Sequence, residues 1–298
     1  MYKRQALHDA SGDDIGPFDD YDYPVERVSV GDPEMAYVDV GEGEETFLCL
    51  HGEPTWGYLY RKLIPGLAER GRVVVPDAIG FGRSDKYTDR EEYSFRMHYD
   101  AFERFLADLD LQNITLVCQD WGGILGLTLA ANHPERFARL VPMNTGIPTG
   151  TQEMPDTWEE FRDFVERTDD LPLDMLIQNA TITELSDETL AAYEAPYPTP
   201  ELKAGARAWP DMVTRKNGGD GAEMTRAAAE RLGEWDKPAF VLFSDSDPIT
   251  HDNRDSLREH LPTASDQPDV WIEGGGHFLQ EDAGEEIADR IVEFVDRT

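Results

Sequence analysis

Cysteine and lysine are scarce in this 298-residue sequence, and long apolar runs are missing. Its two cysteines, Cys49 and Cys118, both fall within predicted strands, so neither a disulfide framework nor a metal site is indicated. No stretch approaches the roughly 18 consecutive apolar residues of a membrane-spanning helix. The N-terminal residues also lack the apolar core of a secretory signal. We therefore expect a globular cytoplasmic protein with no membrane partner.

Positive charge is also in short supply. Lys and Arg together number 27 against 61 Asp and Glu, which gives a formal net charge of −34, and only six of the basic residues are Lys. Such a chain repels nucleic acid and anionic lipid. Its carboxylates also repel one another in dilute salt, whereas at about 1 M salt the Debye length falls to about 3 Å and screens this repulsion. The composition therefore argues against a nucleic-acid partner and favours a halophilic origin.

The segment with the most chemistry is Thr115–Gly123, which reads Thr-Leu-Val-Cys-Gln-Asp-Trp-Gly-Gly. Its first four residues have the character of a buried strand, and a helical run follows its two glycines. A strand, a sharp turn around one reactive side chain and a helix are typical of a nucleophile elbow. The usual nucleophile is serine, but here the position is Asp120, whose carboxylate needs no deprotonation at neutral pH. Asp is also a favoured helix N-cap, so partners elsewhere in the chain decide between the two roles.

The surrounding pattern predicts an α/β protein. Strands and helices alternate over residues 46–143, including a predicted helix over 58–69, and this alternation indicates a mostly parallel, doubly wound sheet. The buried-strand signal then disappears, and acidic helical segments replace it at 157–166, 174–179 and 187–193. Because the sheet pattern returns afterwards, we predict a core over 1–148, an inserted helical cap over 149–214 and the rest of the core over 215–298.

An elbow nucleophile is completed by an acid and then a histidine, later in the chain and in that order. The strand predicted at 239–244 leads into a loop that holds Asp245 and Asp247, and the strand at 269–273 leads into a glycine-rich loop that holds His277. Ligands of open α/β sheets sit beyond the carboxyl ends of the strands, so these loops should meet Asp120. We favour Asp247 as the acid because it lies deeper in its loop, with Asp245 as the alternative.

Three motifs in combination resemble the haloalkane dehalogenase family of α/β-hydrolases. They are His51-Gly-Glu-Pro-Thr-Trp56, Gln119-Asp-Trp-Gly-Gly123 and Gly276-His-Phe-Leu-Gln-Glu281. The resemblance runs from about residue 20 to the C-terminus and is weaker through the cap. It implies the α/β-hydrolase fold and a small haloalkane as substrate, with halide as product and water as co-substrate. No metal and no organic cofactor is implied. We expect His51, which ends a strand beside the predicted oxyanion loop, to make structural hydrogen bonds.

The resemblance also implies roles for single residues. Asp120 would displace halide from carbon, and His277, oriented by Asp247, would activate the water that hydrolyses the resulting ester. Backbone N–H groups of Glu53 and Trp121 would form the oxyanion hole, and the Trp121 indole would bind the halide. A second halide donor is expected on the cap, where Trp158 is the best candidate and Trp209 a weaker one. The expected pocket residues are Trp56, Phe161 and Phe164.

Two other functions fit the same framework. An epoxide hydrolase uses the same nucleophile and histidine but needs two tyrosine hydroxyls from the cap, and Tyr193 and Tyr197 are available there. A non-catalytic ligand receptor can keep the whole triad. The Glu53–Pro54 pair favours the dehalogenase, whereas the tryptophan after the nucleophile does not discriminate, because epoxide hydrolases can share it. A fluoroacetate-type dehalogenase would need an arginine just after the nucleophile, where Trp121 and Gly122 stand instead.

Overall fold

The structure is a computed structural model that describes residues 7–13, 15–151, 154, 156–215 and 218–298. The strands within these ranges are Leu7–His8 (β1), Glu26–Ser29 (β2), Glu34–Val40 (β3), Thr46–Leu50 (β4), Arg72–Pro76 (β5), Lys86–Tyr87 (β6), Ile114–Gln119 (β7), Phe137–Met143 (β8), Phe243–Ser244 (β9) and Trp271–Ile272 (β10). The α-helices are Ile64–Ala68 (α1), Phe95–Asp108 (α2), Trp121–Asn132 (α3), Asp156–Arg167 (α4), Leu173–Asn179 (α5), Asp187–Glu194 (α6), Ala204–Met212 (α7), Ala222–Leu232 (α8), Asn253–His260 (α9) and Leu279–Asp296 (α10).

A six-stranded sheet in the order β2-β3-β5-β4-β7-β8 forms the centre of the molecule. Strands β5, β4, β7 and β8 run parallel, and β3 and β2 add an antiparallel edge. Strands β4 and β7 are buried along their whole length, which explains their continuous apolar sequences, because a parallel strand is covered by helices on both faces. Helix α3, which follows β7, is buried over 121–131.

The sheet extends beyond β8. Phe240 and Leu242 donate backbone hydrogen bonds to Leu140 and Pro142, so the segment before β9 runs parallel to β8, and β9 pairs in parallel with β10. The mostly parallel sheet predicted from the sequence is therefore confirmed. The helix predicted over 58–69 is wrong in part, because a 3₁₀ turn at Gly57–Tyr60 and the short helix α1 replace it. Pro65 lacks the N–H that a continuous helix would need at that point.

Helices α4–α7 lie in the chain between β8 and the returning sheet. The three helices predicted here agree with α4, α5 and α6 to within one residue at each end. Helix α7 was not predicted, because Gly205 and Pro210 interrupt its helical pattern. Residues 152, 153 and 155 of the predicted cap, like residues 1–6, are outside the described ranges. No helix in the described ranges is long and apolar enough to cross a bilayer.

Candidate active site

Asp120 occupies the turn between β7 and α3. Its backbone has a φ of +49°, a strained region for a residue with a side chain, and no side-chain hydrogen bond caps the helix that it precedes. The turn is tight: a Cβ on Gly122 would come within 2.1 Å of the Leu50 carbonyl oxygen. The Asp120 carboxylate instead accepts a hydrogen bond from the backbone N–H of Glu53, with 2.8 Å between that nitrogen and Oδ1. Asp120 therefore stands at the N-cap position of α3 in the strained turn of an elbow, but its carboxylate does not cap the helix.

His277 lies between two carboxylates. Its Nδ1 is 3.1 Å from Oδ1 of Asp247, and its Nε2 is 3.7 Å from Oδ2 of Asp120. Asp247 is buried, and its carboxylate also accepts the backbone N–H groups of Ile249 and Thr250 and the Thr250 hydroxyl. These bonds fix the direction in which the carboxylate faces the imidazole.

The alternative acid, Asp245, does not reach the histidine. It is exposed, and its carboxylate accepts hydrogen bonds from the backbone N–H of Gly274 and the hydroxyl of Ser246. The geometry therefore brings Asp120, His277 and Asp247 together, in the arrangement expected from the sequence, and leaves Asp245 outside the group.

The charges in this group act on one another. Burial alone would lower the pKa of His277, but the carboxylates of Asp247 and Asp120 outweigh it and raise that pKa to about 10. Burial would raise the pKa of Asp247, yet His277 and the hydrogen bonds from Thr250 and Ile249 lower it below the usual value. The resting site therefore favours a protonated imidazole between two carboxylates.

Gln119, which the sequence analysis did not single out, contacts the same imidazole. Its Nε2 is 3.1 Å from Nε2 of His277 and donates to the His277 carbonyl oxygen at 3.2 Å. The amide can donate to the ring nitrogen only when that nitrogen carries no proton. When His277 is neutral, this contact favours the tautomer with the proton on Nδ1, whose Nε2 can accept a proton. The feature of the sequence that could have identified Gln119 is its polar side chain at the end of an otherwise apolar strand.

Asn144 is a second residue that the sequence analysis missed. It is buried just after β8, and its amide donates to the Ser244 hydroxyl at 2.8 Å and to the carbonyl oxygens of Gly276 and His277 at 3.0 Å. The backbone carbonyl oxygen of Asn144 accepts the backbone N–H of Asp120 at 3.1 Å. Asn144 thus joins the elbow through its backbone, and the end of β9 and the histidine loop through its side chain, which fixes the relative positions of the three segments.

The side chain of Glu53 is buried beside Asp120, and its Oε1 has no hydrogen-bond partner among the residues that the structure describes. Burial raises its pKa well above the usual value, and the neighbouring charge of Asp120 raises it further. Both effects favour the neutral acid. The site therefore holds less negative charge than its three carboxyl groups would suggest.

A cavity of about 470 Å³ opens beside Asp120, within the range usual for small-molecule sites. Asp120, Trp121, Glu53 and His277 line it together with Trp158 and Phe161 from α4. The lining is mainly apolar, with contributions from Ile124, Leu176 and Phe278. The geometry therefore offers the Asp120 carboxylate to an uncharged ligand.

Two predicted pocket residues do not line this cavity. Trp56 is fully buried elsewhere: its indole N–H donates to the Ala192 carbonyl oxygen at 3.3 Å, and its ring stacks on Tyr58, so it joins the core to α6. Phe164 is one helical turn beyond Phe161 but packs against the hydrophobic core instead. Both assignments are wrong because spacing along a helix or loop does not specify which neighbour a side chain meets.

The remaining expectations have mixed outcomes. His51 makes the structural bonds expected of it, with Nδ1 3.0 Å from the Gly52 carbonyl oxygen and Nε2 accepting the Ala78 N–H at 3.0 Å. The backbone N–H of Trp121, predicted as an oxyanion donor, makes no hydrogen bond to the Asp120 carboxylate in the described chain. The indole of Trp209 donates to His98 at 2.7 Å and does not line the cavity.

Tyr193 and Tyr197, the tyrosines that an epoxide hydrolase would use, both turn away from the cavity. The Tyr193 hydroxyl binds the Glu281 carboxylate, and the Tyr197 hydroxyl accepts the Gly82 N–H at 3.4 Å. Among the described residues, no three His, Cys, Asp or Glu side chains are grouped as a metal site would require.

Known proteins share this architecture. A family model described as the alpha/beta hydrolase fold matches residues 45–184. The chain is 41% identical over 283 residues to a haloalkane dehalogenase of Psychrobacter cryohalolentis, with 93% of both chains covered. It is 40% identical over 260 residues to a haloalkane dehalogenase of Mycolicibacterium paratuberculosis, covering 87% of this chain and 86% of that one.

A solved structure gives the same result. The tetrameric haloalkane dehalogenase from Paraglaciecola agarilytica NO2 superposes with a TM-score of 0.84 at 35% identity, covering 92% of this chain and 93% of that one. The protein is thus an α/β-hydrolase in which an aspartate occupies the elbow. Within that class, the chain belongs to the haloalkane dehalogenase family.

Proposed function

We propose that the protein hydrolyses haloalkanes to an alcohol and a halide ion through a covalent ester on Asp120. The observation that carries the proposal is the position of the Asp120 carboxylate on the wall of a largely apolar cavity, which it shares with the His277 imidazole and the Trp121 side chain. The haloalkane dehalogenases at about 40% identity support the same substrate class.

In the first step a carboxylate oxygen of Asp120 attacks the carbon that carries the halogen. Oδ1 already accepts the Glu53 N–H, so Oδ2 is the freer nucleophile. The new O–C bond forms as the carbon–halogen bond breaks, and the halide leaves with the bonding electron pair. We assign its stabilisation to the indole N–H of Trp121, because a fixed donor in a dry site stabilises a developing anion.

In the second step water attacks Cγ of the ester and gives a proton to Nε2 of His277. Negative charge develops on Oδ1, where the Glu53 N–H already points, and we assign the Trp121 backbone N–H as the second donor. The Cγ–Oδ2 bond then breaks, and the proton returns from His277 to the leaving oxygen to give the alcohol. Asp120 recovers its second oxygen from water, and one proton is released overall.

Halide and alcohol assays separate this function from its alternatives. The purified protein is expected to release bromide from 1-bromobutane or 1,2-dibromoethane and to leave styrene oxide unhydrated. Hydration of styrene oxide without halide release would show an epoxide hydrolase, and binding without turnover of either compound would show a receptor. The buried hydroxyl partners of Tyr193 and Tyr197 argue against the first of these alternatives.

The pH dependence of the two steps should differ. Alkylation neutralises Asp120, which removes one of the two charges that raise the pKa of His277, so that pKa falls below its resting value of about 10. Below the lowered pKa the imidazole is protonated and cannot take a proton from water. At about pH 5 the wild-type protein should release one equivalent of bromide and accumulate the ester, as measured by halide titration and intact mass. Bromide release and ester hydrolysis that decline together as the pH falls would contradict this assignment.

We assign the second halide donor on the cap to Trp158. It lies in α4, lines the cavity and is held at its ring face by Arg215, whose guanidinium carbon is 5.7 Å from the ring centroid. Trp158→Phe keeps an aromatic ring but removes the N–H. We expect bromide to inhibit this variant about tenfold less strongly than the wild type, with a smaller loss of halide-release rate than we expect for Trp121→Phe. Unchanged bromide inhibition in this variant would show that Trp158 is not a halide donor.

We further propose a halophilic, cytoplasmic protein. The net charge of −34 and the two buried, unpaired cysteines fit a salt-rich and reducing compartment. Lys86 and Lys203 are buried, which leaves still less positive charge at the surface. The melting temperature should therefore rise between about 0.1 M and about 3 M KCl as the salt screens carboxylate repulsion. Sorbitol at matched osmolality, which screens no charge, serves as the control, and equal melting temperatures at both salt concentrations would contradict the proposal.

A further inference from the structure

A buried pair, His98 and Trp209, lies behind the indole that is assigned to the halide. Trp209 belongs to α7 of the cap and is fully buried. Its ring centroid is 5.3 Å from that of Trp121, with 31° between the two planes. Trp121 lines the cavity whereas Trp209 does not, so Trp209 supports the halide-facing ring without itself reaching the ligand.

The orientation of Trp209 is fixed by a hydrogen bond. Its Nε1 donates to Nε2 of His98 at 2.7 Å, and His98 is fully buried in α2 of the core. Burial lowers the pKa of His98 to about 3, and the nearby His51 lowers it as well, so the ring stays neutral. An indole N–H can only donate. The proton of His98 must therefore be on Nδ1, and Nε2 is left as the acceptor.

The other nitrogen of His98 shows what the residue supplies. Nδ1 is buried with no hydrogen-bond partner within the described ranges, and an unsatisfied buried donor is costly. An apolar side chain at position 98 would avoid this cost. What it could not provide is the acceptor for Trp209, so the hydrogen bond to the indole is the interaction that distinguishes histidine at this position.

Helix α2 positions two of the rings that pack against Trp121. Phe95 contacts Trp121 directly, with centroids 6.4 Å apart, and His98, one turn further along the helix, holds Trp209 against it. A third contact completes the support, because Trp209 also packs on Phe81 with centroids 4.1 Å apart. The plane of the halide-binding indole therefore depends on a core helix and a cap helix at once.

We propose that His98 and Trp209 are positioning residues that hold the Trp121 indole in the orientation that binds halide. The inference rests on the proposed function, because it takes the Trp121 N–H as a halide donor. Residues that lock a binding group by packing and hydrogen bonding set the geometry of a site without touching the ligand. The pair also makes halide binding depend on the position of the cap relative to the core, because Trp209 belongs to a cap helix and His98 to a core helix.

A double-mutant cycle tests this proposal in the full-length protein. The variants are Trp209→Phe, His98→Leu and the combination of both, and the readout is the inhibition constant of bromide against 1-bromobutane turnover. Each single variant should weaken bromide inhibition about tenfold. This is the lower end of the loss seen in metalloproteins when a residue that orients a metal ligand is replaced, which is a comparable positioning role. Because both remove the same bond, the double variant should be no worse than about either single one.

Two further variants separate positioning from stability. His98→Gln, whose amide oxygen can still accept the indole N–H, should recover most of the bromide inhibition. Trp235→Phe alters another buried indole, whose Nε1 has no partner in the part of the chain that the structure describes and which does not line the cavity. This variant should leave bromide inhibition unchanged. Melting temperatures are measured for every variant, and His98→Asn replaces His98→Leu if the latter does not fold.

The outcomes are distinct. Weaker inhibition in both single variants, with no further loss in the double variant and recovery in His98→Gln, supports the proposal. Fully additive effects, or lower melting temperatures with wild-type bromide inhibition, overturn it. A wild-type protein that releases no halide would instead overturn the proposed function itself, whereas an active wild type with unaffected variants overturns only this inference.

Discussion

An Asp120→Asn protein is expected to lose halide release from 1-bromobutane by at least roughly ten-thousandfold. The amide keeps the shape of the side chain, and its oxygen can still accept the Glu53 N–H at the position of Oδ1. What disappears is the negative charge and the second carboxylate oxygen, which the first step requires. The measurement is bromide release over several hours, together with the intact mass of the protein, because deamidation of the new Asn would restore the nucleophile.

Asp245→Asn is the matched control for this change. Asp245 is an exposed aspartate at the same end of the sheet, and its carboxylate accepts a backbone N–H from Gly274 that an Asn oxygen can also accept. The control removes one negative charge from the same region but should keep wild-type activity. Activity retained in Asp120→Asn without deamidation would show that the protein does not use an ester at this residue.

A His277→Phe protein is expected to complete the first step and stop before the second. Phe cannot take a proton from water, whereas alkylation of Asp120 needs no base. Incubation with 1-bromobutane should release one equivalent of bromide and increase the intact mass by one alkyl group. Peptide mapping should place that group on Asp120. We expect the rate of alcohol formation to fall by roughly a thousandfold or more, as it does when a catalytic base is removed.

Two comparisons make this result specific. His251→Phe replaces an exposed histidine that stacks on Trp271, and it should turn over normally with no adduct. His277→Gln tests whether the bulk of Phe disturbs the cavity, since it is smaller and should trap the same ester. Normal alcohol formation by both His277 variants would exclude the histidine as the base. Loss of the bromide burst in both would place His277 in the first step instead.

Oxygen labelling gives an independent view of the same chemistry. In a single turnover of the wild-type protein in ¹⁸O-water, the alcohol should carry an unlabelled oxygen from Asp120, and the carboxylate should carry the label. Direct attack of water on the substrate would put the label in the alcohol. Because this measurement uses the unaltered protein, no change in folding can affect its interpretation.

Several features of the fold and site could be predicted from the sequence, because local physics fixes them. The continuous apolar runs of β4 and β7 indicated buried parallel strands, and the structure confirms both. The strand, the acidic residue and the paired glycines identified the elbow. Glycine is needed at position 122, because the Cβ of any other residue there would collide with the Leu50 carbonyl oxygen. The helical pattern likewise located α4, α5 and α6.

Other features could not be predicted, because they depend on neighbours that are distant in the chain. The pattern placed Trp56 and Phe164 in the pocket, but the first instead binds Ala192 and the second packs against the core. Helix α7 could not be predicted because its glycine and proline lower its helix propensity, and burial of most of its residues against the rest of the protein compensates for this.

The sequence by itself determined the class of fold, the order of Asp120, Asp247 and His277 at the strand ends, and the large negative charge, because each is a property of short segments or of composition. Only the tertiary structure decided that Asp247 and not Asp245 faces the imidazole, that Gln119 contacts this ring, that Asn144 binds the backbone of its loop, and that Trp209 turns its indole towards His98. The physical reason is that hydrogen bonds between strand ends and across the cap depend on where loops meet in space, and the spacing of residues along the chain does not specify that.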